Sequence, residues 1–245
     1  MPGISQLRPA ADGGPLRGGA PRVVWESLDA DPHTVSARSA AQRLIQQGRS
    51  SHLVWNPVSG DIVQLIPAVR AACALGAPAT LGHAGPPDPD EAGKAAGTAE
   101  QPPAARGGPR RPGVNAEGRL CVQICVVAFA WDPFTSGPLA GLKPIMEWLG
   151  SWLIPRTWPA GRPAEFPHGI AAPRSRRLWA RGGHFGASQV PDSPAIGPGA
   201  VDIRLLTGPS AHDARQPMHS GRDLDDLDDI FVSRPDVPAP LSRAS

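Results

Sequence analysis

From the amino end, apolar positions first cluster at Val23-Val24-Trp25, directly after Pro21-Arg22, and predict a short strand. Over residues 34–47, Val35, Ala41, Leu44 and Ile45 recur at helical spacing; Thr34 or Ser36 can cap the start and Gly48 ends it. Two short apolar runs follow, at 52–55 and 61–66, joined by Asn56-Pro57-Val58-Ser59-Gly60. That linker is turn chemistry, so the unit reads as a β-hairpin. Residues 68–75 suit a short helix. The run 120–130 is almost continuously apolar, the pattern of a central strand buried on both faces. From 138 to 153, Leu139, Leu142, Ile145, Met146, Leu149 and Leu153 mark one face of a helix. Residues 155–181 show no period, with Trp158 and Trp179 as packing residues, and 202–206 suit a last short helix. Strand, helix, hairpin, strand, helix is the order of an α/β domain, with a mixed central β-sheet flanked by helices.

Composition adds boundaries to this pattern. The 245 residues include 31 Pro and 28 Gly, an excess that points to long irregular stretches. Three stand out: a Gly/Pro-rich segment at 1–20, an Ala/Gly/Pro insert at 77–113, and an acidic, Pro-rich tail at 208–245. All three are expected to be disordered, which leaves one domain at 21–207. Within the tail, residues 223–231 read either as solvated chain or as an amphipathic segment for a protein partner. Lys occurs only at Lys94 and Lys143 and Tyr is absent, a bias that GC-rich coding produces. A net charge of +2 gives no reason to expect nucleic acid or membrane as partner. No signal-type apolar region and no run of about 18 apolar residues is present, so a cytoplasmic location is expected, with release by lysis compatible. Cys73, Cys121 and Cys125 are expected as thiols. On a strand, Cys121 and Cys125 stand about 13 Å apart, beyond disulfide reach.

Candidate chemistry centres on residues 182–202, GGHFGASQVPDSPAIGPGAVD. This stretch resembles the C-terminal metal-site loop of the zinc-dependent N-acetylmuramoyl-L-alanine amidases. The peptidoglycan-recognition proteins share that fold, and phage endolysins and actinobacterial wall hydrolases belong to the family. The family loop reads His-x-x-Val-Pro, with a Lys or His eight residues after the first His and Asp-Pro-Gly beginning ten residues after it. Val190-Pro191 and Pro198-Gly199 keep that spacing, but the functional positions hold Ala187, Ala195 and Gly197. Further resemblances fall in the same order along the chain. Glu26 follows Val23-Val24-Trp25 where the family has a zinc-ligand His. His52-Leu53-Val54-Trp55 with Gly60-Asp61-Ile62-Val63-Gln64 resembles the family's His-aromatic strand and Gly-x-Ile-Val-Gln. After Asn115, Val122-Gln123-Ile124 matches the central strand, but Cys125 stands where the catalytic Glu is found.

The resemblance implies an amidase-like scaffold and a zinc cofactor; the residues themselves argue against both zinc and turnover. Catalytic zinc needs three protein ligands and an open position for water, and these positions offer Glu26 alone. No cofactor is therefore expected. Three function classes follow. The first is a non-catalytic protein that recognises peptidoglycan fragments, with His52, Trp55, His184 and Gln189 as groove candidates and Trp25 and Trp131 as further stacking surfaces. The second is an active amidase with a rearranged site built from Glu26, His52, His184 and Cys125. The third is a cytoplasmic protein-interaction module on the same scaffold.

Overall fold

The computed structural model describes residues 4–76, 113–170 and 174–208. The expected insert (save Gly113), the expected tail (save Gly208) and the 223–231 segment lie outside the described residues. The described chain is an α/β fold around one mixed sheet. Its strands are β1 (Ser5–Gln6), β2 (Arg22–Ser27), β3 (Leu53–Trp55), β4 (Ile62–Gln64), β5 (Cys121–Val126) and β6 (Gly183–Gly186), in the order β1-β4-β3-β5-β2-β6. Only β3 and β4, the hairpin, run antiparallel; all other neighbours are parallel. Every residue of β2 and β5 is buried, as their unbroken apolar runs require of central strands.

Alternation along these strands sorts the core. Val23, Trp25, Val122, Ile124, Val126 and Trp55 face one layer, covered by Ile145, Met146 and Leu149 of α2 (Leu142–Ser151). Val54, Val63 and Cys125 face the other, against α1 (Ala37–Gln46), whose Ala37, Ala40 and Ala41 let the helix lie close to the sheet. Ser36 caps α1, its Oγ accepting from the Ser39 N–H at 3.1 Å, and Gly48 ends it with φ +67°. In the hairpin, Asn56 Oδ1 accepts from the N–H groups of Val58 and Ser59 at 2.9 and 3.1 Å, which fixes the turn. The short α4 (Ile203–Thr207) is capped by Asp202.

Five features differ from the sequence expectation. Residues 4–19, expected to be disordered, form a strap along the domain. Ser5–Gln6 pair with β4, Gly13 and Gly14 exchange backbone hydrogen bonds with Ala71, and Arg17 and Gly19 bond to Ala116 and Arg119. Asp12 also receives two hydrogen bonds from the Arg70 guanidinium, each 2.8 Å. Backbone pairing of this kind leaves no apolar period in the sequence. The helix expected at 68–75 is absent; that stretch pairs with the strap instead, and only Ala74–Gly76 form a 3-10 turn. The expected loop at 182–202 begins with strand β6, and the irregular stretch before it contains the helical turn α3 (Arg176–Trp179). Leu153, expected on the buried face of α2, lies beyond its end at φ +56° and is exposed.

Candidate functional site

The positions that the sequence resemblance singles out lie at or after the carboxyl ends of β2, β5 and β6. Glu26 is the penultimate residue of β2, in register with Cys125, and is buried. Arg49, just beyond α1, donates from Nη2 to Glu26 Oε1 at 2.9 Å and also to the Ala74 carbonyl. The Cys125 thiol donates to Glu26 Oε2 at 3.5 Å. Burial pushes the Glu26 carboxyl up, and the Arg49 charge pulls it back. Burial, reinforced by the Glu26 carboxylate, holds the Cys125 thiol well above the ordinary range, so it is a poor nucleophile. Ala187 opens a 3-10 turn after β6 and packs, fully buried, among Val24, Phe185, Val190 and Ala195. At Gly197, an added Cβ would lie 3.2 Å from the Ala130 Cβ and 3.3 Å from the Ser27 Cβ. Neighbouring chain therefore crowds the direction in which a ligand side chain would grow.

The donor set does not fit zinc. Its one carboxylate is committed to Arg49, and the other two positions carry no donor atom. Among the described residues no group of three or more His, Cys, Asp or Glu side chains is placed to hold a metal ion.

The four groove candidates are all buried, and each has a local structural partner. His52 Nδ1 accepts from the Gln123 N–H at 2.9 Å, which leaves Nε2–H to donate to the Arg70 carbonyl. Burial lowers its pKa to about 4. Trp55, with no exposed surface, donates from Nε1 to the Ala140 carbonyl at 2.7 Å. Gln189 accepts from the Gly186 N–H and donates to the carbonyls of Ala160 and Gly161. His184 accepts at Nδ1 from Trp25 Nε1 at 3.1 Å and lies against the Trp25 and Trp158 rings. Its Nε2 is buried without a partner, and burial, with a smaller push from Arg156, lowers its pKa to about 3. Through Trp25, His184 belongs to the sheet face opposite Glu26. The rearranged set of Glu26, His52, His184 and Cys125 is thus divided: Glu26 and Cys125 touch, while each histidine is tied into a separate set of bonds.

What stays open lies one residue away from the crowded Gly197. Ala130, the residue against Gly197, sits between Phe129 and Trp131, whose rings stack with centroids 4.8 Å apart. Trp131 is 60% exposed. Beside it is a cleft of about 280 Å³ lined by Phe129, Phe134, His33, Asp132, Ser136 and several prolines. Phe134 forms a link to the core, packing against Trp25 and Trp55 at 6.2 and 5.8 Å. The cleft is built from segments that follow β2, β3 and β5, the carboxyl side of a parallel sheet where such folds place ligands. Of the three candidate tryptophans, only Trp131 is available to a ligand. Phe129, His33, Asp132 and Ser136 were not singled out in the sequence. The available signal was Phe129-Ala130-Trp131-Asp132-Pro133-Phe134, an aromatic cluster directly after the most apolar strand.

Comparison with family models, with curated proteins and with solved structures finds no match. Among the described residues, no helix is long and apolar enough to cross a membrane.

Proposed function

We propose that this chain is a non-catalytic recognition protein that binds peptidoglycan fragments on an amidase-like scaffold without cleaving them. One observation carries the reading: the sole carboxylate at the family's metal positions, Glu26, is buried and held by Arg49, while Ala187 and Gly197 have no donor. An amidase of that family needs zinc to activate water and polarise the scissile carbonyl. Cys125, at the general-base position, is a buried thiol bonded to Glu26, so no side chain there is ready to take a proton from water. The open cleft at the same carboxyl end of the strands keeps a place for a ligand. A non-catalytic role fits this pairing of a closed chemical centre with an accessible aromatic surface. The test is co-sedimentation of the purified full chain with insoluble peptidoglycan, alongside an assay for newly released amino and reducing ends. Binding without release is expected. Release of amino ends in step with protein concentration, or no sedimentation at all, overturns the reading.

A further inference from the structure

We infer that the Phe129–Trp131 stack is a sugar-binding platform, and that the adjoining cleft takes a neutral N-acetylhexosamine ring rather than the peptide part of the ligand. This rests on the recognition reading above and assigns the part of the ligand that carries specificity. Six of the seven tryptophans of the chain are buried or partly buried against neighbours; Trp131 is the exception, 60% exposed. Phe129 lies beneath it, with the two ring planes only 20° apart. A flat indole fixed in this way presents one π-face to solvent. The C–H face of a pyranose ring can cover that apolar face and leave its hydroxyls free at the rim.

The rim has matching chemistry. Asp132 supplies acceptor oxygens, and Ser136, whose hydroxyl donates to the Pro133 carbonyl at 2.7 Å and lies 3.2 Å from Asp132 Oδ1, keeps lone pairs for a ligand donor. His33 lines the same cleft. No Lys or Arg lines it, which disfavours phosphate-bearing ligands such as nucleotides that pair aromatic stacking with a basic groove. At about 280 Å³ the cleft lies just under the roughly 300–1,000 Å³ usual for small-molecule pockets, a size for one ring and its substituents. Proline-rich peptides dock along aromatic-lined grooves; here a single exposed indole stands at the edge of one short cleft.

The experiment uses the full chain and two probes that separate the halves of the ligand: a peptide-free N-acetylglucosamine tetramer and a sugar-free stem peptide. Calorimetry measures affinity, and the Trp131 indole N–H signal, assigned by its loss in Trp131→Ala, reports contact. The tetramer should bind and shift the Trp131 signal. Trp131→Ala should weaken it about tenfold or more, with Trp131→Phe in between. Tetramer binding that is unaffected by Trp131→Ala overturns the platform. Binding of the stem peptide alone overturns it too, while sedimentation with peptidoglycan would still leave the recognition reading standing. Failure to bind tetramer, peptide and peptidoglycan overturns both.

Discussion

Two neighbouring regions at the carboxyl ends of the strands have opposite characters. Around Glu26, Ala187 and Gly197 the protein is closed: an ion pair, a buried alanine and a glycine crowded by Ala130 and Ser27. A few residues further on, Phe129, Asp132 and Ser136 line an open cleft, and Trp131, stacked on Phe129, is 60% exposed. The closed region shows how a charge can be held inside a core, because it is paired and the space around it is filled. The open region begins on the other side of Ala130.

The largest expected effect tests whether the closed region belongs to a cooperative core. Ile124 and Val126 point into the layer under α2, and an unpaired carboxylate there costs several kcal/mol, comparable to the whole stability of a domain. Ile124→Asp should give a chain without cooperative thermal unfolding by circular dichroism; a folded, soluble variant would show that β5 is not the buried centre.

Next is the ion pair. Arg49→Met alone strands the buried Glu26 carboxylate and should cost about 3–5 kcal/mol in urea unfolding. Combining it with Glu26→Leu should recover most of that loss, because both charges leave together. Equal losses in the single and double variants would mean that Arg49 acts by packing instead.

Acid should separate the regions more gently. His52 and His184 are held neutral at about 4 and about 3, against an ordinary 6.5. Above about pH 6.5 neither costs anything. As the pH falls towards these lowered values the unfolded chain takes up protons that the native chain refuses, and stability drops by about 1.4 kcal/mol per pH unit for each histidine. His184→Leu should roughly halve the slope of the urea midpoint between pH 6 and 4; an unchanged slope would place the titration elsewhere. The smallest effect belongs to the open region. Trp131→Ala should change stability by no more than about 0.5 kcal/mol, and a larger loss in the same unfolding assay would make the indole part of the core.

Periodicity made the skeleton legible. The β2 and β5 runs, the Ala41/Leu44 stripe of α1, the Asn56 turn and the Leu142–Leu149 part of the α2 face lie where their spacing places them. Elements held chiefly by backbone pairing were not visible. The strap and β6 have too few apolar side chains to show a period, and the stretch 68–75 gave up helix for pairing with Gly13 and Gly14. Burial was the harder quantity for the candidate site. A histidine, glutamine or tryptophan in a strand reads equally well as a groove residue or as core. The tie is broken only by partners distant in sequence, such as Arg70 for His52 or Ala140 for Trp55. Arg49 as the partner of Glu26 was hidden for the same reason.

The strap has a practical consequence for protein engineering. It binds Ala71 on one side of the 77–112 stretch and Ala116 and Arg119 on the other, and Asn115 Oδ1 accepts from the Leu75 N–H at 3.3 Å. The two stems are thus held together by described chain, whatever joins them. Closing a longer connection there costs only about 0.6 kcal/mol for each doubling of its length. That makes the position suited to grafting a reporter domain or opening new chain ends by circular permutation, provided the first twenty residues stay attached.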